Sequence, residues 1–227
     1  MEVEDMLRFA LVHGAAGADE IDRLCAQHGW LRNGLLPDGT RVVPFACWAQ
    51  TCAAYGRGGV AALRTLLADP DLASFAIAVL EEVKTVQSVQ ALLGFCDAAT
   101  WQSPDATHAE WKALSALNLL LSLDDGVQVD AAAMGDVLRV VVKAFDTTAQ
   151  PFLKRLCLYA ARGAPTAQTL AWLQQLDVPE AEVKAEAEAQ AARAVAIKSI
   201  KRRLSPTYKA PDAKAKRQIQ RARAADL

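Results

Sequence analysis

The chain has 227 residues, which is enough to bury a hydrophobic core without help from disulfides or metal ions. Its hydrophobic fraction of 52% is rich in alanine, the strongest helix former, and therefore favours an all-α fold over a sheet. Five scattered cysteines, an acidic start and the lack of a long apolar run argue against a disulfide-rich secreted protein and a membrane protein, so we expect a cytoplasmic protein.

The first half of the chain is predicted to form helices separated by glycine and proline. Residues 30–44 are the least helical stretch, and their Leu-Pro-Asp-Gly turn predicts a small hairpin or a long ordered loop. Residues 56–59 are expected to break the chain, and Asp69 with Pro70 is expected to start the next helix. The helices predicted here cover residues 2–13, 18–28, 45–55, 60–68, 71–83 and 88–98.

The second half is predicted to be helical as well. Two patterns compete to start its first long helix: Ser103 followed by proline, and a capping box made by Thr107 and Glu110. Asp130 and Thr166 are predicted to cap later helices. The helices predicted here cover residues 111–123, 131–145, 149–162 and 166–176, then one that opens at 177–180 and is interrupted at 205–206, and a weakly apolar one at 213–225.

Charge is distributed unevenly along the chain. Residues 198–227, which we call the basic segment, contain ten Lys or Arg against two Asp, whereas residues 1–197 contain fifteen basic and twenty-four acidic residues. An acidic body and a basic segment prefer different partners. We predict a single helical-repeat domain over residues 1–204, followed by a basic tail over residues 205–227.

Motifs for catalysis and cofactor binding are missing from the sequence. There is no Walker phosphate loop, dinucleotide fingerprint, His-Glu-x-x-His or paired Cys-x-x-Cys. A zinc site could draw on four residues with suitable atoms, but their spacing is unsuitable: Cys25, His28, Cys47 and Cys52. Nothing in the sequence orients Cys25 and His28 as a nucleophile and base. The glycines of residues 56–59 either hold a phosphate at a helix start or form a plain connector. We therefore expect a non-enzymatic protein without metal or cofactor.

Three segments of the sequence share a pattern of small and branched apolar residues that ends in Asp. The clearest is 60–69, and weaker versions occupy 89–97 and 158–177. In segment 60–69, the residues that fit the pattern are Val60, Ala62, Leu63, Leu66, Leu67 and Asp69. With the Asp-Pro turn that follows, the pattern resembles a HEAT-like repeat across about residues 60–177. The resemblance implies a right-handed α–α superhelix, or α-solenoid, of helical hairpins.

The resemblance also implies a binding surface. In such repeats the second helix of each pair lines the concave face, whereas the simpler alternative is that the same residues form the solvated faces of amphipathic helices. The candidate partner contacts are Arg64, Gln87, Gln90, Asp136, Arg139, Lys143, Gln168, Trp172 and Gln175. In the basic segment the candidate contacts are Lys201, Arg202, Arg203, Lys214, Lys216 and Arg217.

Small, acidic, alanine-rich helical proteins of this kind are similar to immunity proteins of bacterial polymorphic toxin systems. The similarity implies a protein–protein interaction in which the acidic body binds and neutralises a cognate basic toxin, such as a nuclease, with capture favoured by complementary charge. The alternative is a nucleic-acid-associated helical-repeat protein that binds DNA or RNA through its basic segment. No membrane partner is expected.

Overall fold

The computed structural model describes residues 12–27, 45–122, 126–176 and 184–209. Regular structure within these ranges consists of nine α-helices and a 3₁₀ turn, without a strand. The all-α prediction is therefore confirmed for the described part of the chain. The predicted loop at 30–44 and the predicted helix at 213–225 lie outside the described residues. Backbone contacts divide the chain into two compact units, residues 1–91 and residues 92–227.

The first unit is organised around α2 (Phe45–Leu66), which is kinked at Gly59 and packs against both α1 (Ala15–Gln27) and α3 (Ala73–Val83). Its core is built from small and branched side chains, because alanine, cysteine and leucine let the helices approach closely. The helix α4 begins in this unit and ends in the second. The helices are α1 (Ala15–Gln27), α2 (Phe45–Leu66), α3 (Ala73–Val83) and α4 (Val86–Ala98).

A glycine allows α1 and α2 to make close contact. A Cβ atom added at Gly56 would lie 2.6 Å from the backbone oxygen of Gly14, so any larger residue requires a shift of the backbone. The next residue, Arg57, donates to the carboxylates of Asp19, at 3.3 Å, and Asp22, both on α1. A small residue and an ion-pair network therefore hold these two helices together.

One local prediction for the first unit is confirmed and another was partly wrong. The predicted break over residues 56–59 occurs at Gly59, whose non-helical φ of 57° and ψ of −148° kink α2 between two helical segments. The next helix, α3, begins at Ala73 rather than directly after Pro70. Asp69 does make the side-chain hydrogen bond expected of an N-cap, since its Oδ1 atom accepts from the backbone N–H of Asp71 at 2.9 Å, but a turn separates it from the start of the helix.

The second unit contains the end of α4 and five further helices. Among these, α7 packs against α5, α6 and α9, and α9 also packs against α8. A stripe of small and branched residues on α9, including Ala192, Ala196 and Ile200, is fully buried. The helices are α5 (Ala109–Ser122), α6 (Ala131–Thr147), α7 (Pro151–Ala160), the 3₁₀ turn Ala161–Gly163, α8 (Ala167–Gln175) and α9 (Lys184–Leu204).

Local signals predicted several helix ends of this unit correctly. Asp130 accepts from the backbone N–H of Ala133 at 2.8 Å and caps α6, and Thr166 accepts from Thr169 at 3.1 Å and caps α8. The last described helix, α9, ends immediately before the Ser205-Pro206 pair, because proline cannot continue a helix.

The capping box predicted for the start of α5 does not form. This helix begins at Ala109, and the carboxylate of Glu110 does not close a capping box with Thr107. It accepts instead from the backbone N–H groups of Thr100, at 2.8 Å, and Trp101, at 3.1 Å. Trp101 is fully buried and has a φ of 59°, which is unusual for a residue other than glycine. Glu110 therefore anchors the segment between α4 and α5.

Candidate partner-binding groove

The second unit has a groove where α6 faces α8. Its volume is ≈ 400 Å³. Residues of α6 at helical spacing form one wall, and residues of α8 form the other. The lining residues are Gly135, Leu138, Arg139, Val142, Lys143, Gln168 and Trp172.

The floor of the groove is apolar. Leu138 is nearly buried, and Val142 and Trp172 are half-buried, so each presents part of an apolar side chain to the groove. The Trp172 indole is held by an edge-to-face contact with Phe145 of α6, with ring centroids 5.7 Å apart. The ammonium group of Lys154 lies over the Phe145 ring, 5.0 Å from its centre. These contacts fix the aromatic wall in one orientation.

The cations on the rim of the groove are bound within the second unit. Arg139 donates to the carboxylates of Asp97 and of Asp136, the latter at 3.1 Å. The hydrogen bond from Arg139 lowers the pKa of the Asp97 carboxyl. In turn, the hydrogen bond to Asp97 and, to a smaller extent, that to Asp136 raise the pKa of Arg139. Lys143 donates to the carbonyl oxygens of Asp97, at 3.1 Å, and Ala99, at 3.0 Å. A cation there also complements the dipole at the end of α4.

The rim is therefore locally balanced in charge. Two cations face two carboxylates and two carbonyl groups of the same unit. A ligand that approached the rim with its own charge would have to compete with these contacts. The apolar floor, in contrast, is exposed to solvent, and a ligand that buries it gains hydrophobic free energy.

The structure brings together four of the nine predicted partner contacts. Arg139, Lys143, Gln168 and Trp172 line the groove, and Asp136 touches it through Arg139. Gln175 is exposed at the end of α8. The remaining three belong to the first unit, are not among the lining residues, and are exposed: Arg64, Gln87 and Gln90.

Three lining residues were not among the predicted contacts. Leu138 and Val142 follow the helical period of α6, and such apolar residues are expected in a core. Gly135 adds no side chain, and a Cβ atom built at this position meets no atom within 4 Å. The signal that could have identified them is their spacing, since Gly135, Leu138, Arg139 and Val142 fall on one face of α6.

The described residues of the basic segment have different environments. Lys201 and Arg202 are exposed on α9, and the Arg202 guanidinium lies 5.7 Å from the ring centre of Tyr208. Arg203 is half-buried and donates to the carbonyl oxygens of Leu121, at 3.0 Å, and Arg162, at 2.9 Å. Arg203 therefore stabilises the fold. Lys214, Lys216 and Arg217 lie outside the described residues.

The weak alternatives for chemistry gain no support from the described residues. Cys47 and Cys52 are buried in α2, and burial raises the pKa of the Cys52 thiol to about 12. The Cys25 side chain and His28 lie outside the described part. Within the described ranges there is no group of three His, Cys, Asp or Glu that could hold a metal ion. Arg57, which lies among the glycines that the sequence offers as a phosphate site, binds carboxylates of α1.

Two further findings bear on function. Among the described helices, none is both long and apolar enough to cross a lipid bilayer. Comparisons of the chain with protein-family models, with curated proteins and with solved structures find no match.

Proposed function

We propose that this chain is a non-enzymatic protein-binding scaffold whose partner occupies the groove between α6 and α8. The observation that carries the proposal is the contrast between an open apolar floor and a rim whose charges are bound within the unit. Sites of this kind take an apolar anchor from the partner, and tryptophan is enriched among the residues that dominate such interfaces. Trp172 is accordingly the residue that we expect to contribute most to binding.

The proposal includes the architecture predicted from the resemblance, a right-handed superhelix of HEAT-like hairpins. One feature of the packing within the second unit favours it: α5 contacts α7 and α7 contacts α9, whereas α6 and α8 form opposite walls of the groove. In stacked hairpins the first helices form one layer and the second helices form the other. The groove then lies on the layer of second helices, the face that such repeats use for partners.

The partner that we propose is a basic toxin, so that the chain acts as its immunity protein. Residues 1–197 carry nine more acidic than basic residues, and a field of this sign attracts a basic partner and speeds encounter. A nuclease toxin is one such partner, since its substrate site must be positively charged to bind phosphate. The charge would bring the partner to the surface, and the groove would hold it.

The proposal is tested by filling the groove without disturbing the fold. Phenylalanine in place of Gly135 adds a side chain where the structure leaves open space, and Gly94→Phe adds the same side chain at another open glycine in a helix of the second unit. The tagged wild type and both variants are recovered at low salt from the cells in which the protein naturally occurs. Proteins that co-purify are then compared by quantitative mass spectrometry.

We expect a protein that the wild type and Gly94→Phe retain and that Gly135→Phe loses by tenfold or more. That protein should stop growth when it is expressed alone, and co-expression of the wild-type chain should restore growth. Recovery of no partner, or equal recovery with Gly135→Phe, would contradict the proposed site. A partner that is lost with Gly135→Phe but does not affect growth would contradict the immunity function and leave the scaffold in place.

A further inference from the structure

The longest helix of the second unit has two chemically different faces. Ala192, Ala196 and Ile200 are fully buried against the rest of the unit. The opposite face is exposed, and near the end of the helix it carries Lys198, Lys201 and Arg202. The helical rise of about 1.5 Å per residue places the Cα atoms of Lys198 and Arg202 about 6 Å apart along the axis. The result is a short row of cations on a rigid support.

This row lies in a long stretch of sequence without a carboxylate. Between Ala189 and Lys209 there are six Lys or Arg and no Asp or Glu. Within the described residues, neither Lys198 nor Lys201 makes a hydrogen bond or an ion pair through its side chain. Arg193, in the same stretch, is bound to the carbonyl oxygens of Leu173, at 2.6 Å, and Gln174, at 2.8 Å. The exposed lysines thus have their donors directed to solvent.

Two other cations of the unit, Arg162 and Arg203, are half-buried and have partners within the protein. The Arg162 guanidinium donates to the backbone oxygen of Tyr159 and to Asn118 Oδ1, both at 3.0 Å. Among the described residues it has no carboxylate partner, and burial lowers the pKa of Arg162. The Arg203 guanidinium, bound to the Arg162 carbonyl, links this residue to the end of α9. Arg162 and Arg203 are therefore held by protein groups and do not belong to the exposed row.

We propose that this end of the second unit, with the exposed row of Lys198, Lys201 and Arg202, binds the phosphate backbone of a nucleic acid. The site is distinct from the groove and does not depend on its proposed function. It differs from binding through a solvated tail, because the cations belong to an ordered helix and keep a fixed spacing. Each lysine would neutralise one phosphate and release its counterion.

Nucleic acid is favoured over two other anionic partners. Stable membrane binding takes an inserted apolar element in addition to basic residues, and the apolar face of α9 is buried in the unit. An acidic protein needs a cluster of apolar anchors, and the exposed large apolar residues of the described part of α9 are two separate ones, Val195 before the row and Leu204 after it. A regular polyanion needs only a row of cations, and Tyr208 beside Arg202 adds an aromatic ring.

The test uses matched pairs of lysine substitutions in the full chain. Lys198→Gln with Lys201→Gln removes two charges from the row, and Lys84→Gln with Lys112→Gln removes two charges from exposed lysines elsewhere. Both variants have the same net charge. Binding of fluorescein-labelled oligouridine and of a labelled DNA duplex is measured by fluorescence anisotropy across a range of salt concentrations. Vesicles of phosphatidylserine are a separate arm, and circular dichroism checks that each variant is folded.

For the wild type we expect a Kd for oligouridine of about 10⁻⁶–10⁻⁴ M at physiological salt, the range of binding without sequence preference. The row variant should bind about tenfold more weakly, and the slope of log K against log salt should fall by about 1.4, the value for two phosphate contacts on a single strand. The control variant should match the wild type. No binding of either nucleic acid, binding to vesicles alone, or equal loss in both variants would overturn the proposal.

Discussion

The carboxylate of Glu110 offers a sharp test of how the second unit is held together. It is 8% exposed and accepts from the backbone N–H groups of Thr100 and Trp101, and from the Thr100 hydroxyl at 3.3 Å. In Glu110→Gln one acceptor oxygen is replaced by an NH₂ group, which faces N–H donors that it cannot satisfy. The substitution therefore loses a charge-assisted hydrogen bond and leaves a buried donor without an acceptor.

The expected cost follows from these contacts. A hydrogen bond to a charged group contributes about 1.5–3 kcal/mol, and a buried unsatisfied donor adds to the loss, so we expect the free energy of unfolding to fall by about 2–4 kcal/mol. For a chain of this size the urea midpoint should fall by about 1–2 M. Unfolding is followed by circular dichroism and by tryptophan emission, since Trp101 and Trp111 are both fully buried beside this carboxylate.

An exposed carboxylate in the same connection provides the control. Asp105 accepts from the backbone N–H of Thr107 at 2.8 Å and from its hydroxyl at 2.7 Å, so Asp105→Asn makes the same change of charge at the surface. Its urea midpoint should stay close to that of the wild type. If Glu110→Gln unfolds at the same urea concentration as Asp105→Asn, the buried carboxylate does not anchor the segment and the reasoning fails.

Three further predictions concern packing, pH and thiol reactivity. Gly56→Ala should destabilise the first unit by about 1–3 kcal/mol, because the added methyl group overpacks the contact with α1. Gly94→Ala places its methyl group in open space and should not destabilise the chain. Urea unfolding of both variants measures the difference. The hydrogen bond from Arg139 lowers the pKa of Asp97 below its ordinary value of 3.8, so the Asp97 carboxylate stabilises the fold above pH 3.8. This contribution is lost as the pH falls through the lowered pKa. The difference in free energy of unfolding between the wild type and Asp97→Asn should therefore shrink below pH 3.8. Cys52 should resist alkylation in native buffer and react in denaturant, as peptide mapping would show, and rapid native alkylation would refute its burial.

Sequence patterns predicted those features that depend on neighbouring residues. Asp130 and Thr166 cap their helices as expected, because an N-cap hydrogen bond closes within three residues of the chain. The helical period also placed Asp136, Arg139 and Lys143 on one exposed face of α6, and the structure places the last two in the groove lining. Local chemistry was sufficient in these places.

Features that depend on tertiary contacts could not be predicted in the same way. Glu110 has the spacing of a capping box, but backbone N–H groups before α5 compete for its carboxylate. Arg203 belongs to a run of basic residues that suggests a solvated surface, yet the carbonyl groups of Leu121 and Arg162 lie within its reach. Leu138 resembles a core residue, and only the position of α8 shows that it also faces a groove.

The most direct test of the proposed function is photo-crosslinking from the wall of the groove. A photoreactive phenylalanine analogue is introduced in place of Gln168, which lines the groove and is exposed, and in a second protein in place of Lys84, which is exposed on the first unit. Both are irradiated in the cells in which the protein naturally occurs. We predict one discrete protein adduct from position 168 that is weak or missing from position 84. No adduct at position 168, or the same adducts from both positions, would contradict the proposal that a partner protein occupies this groove.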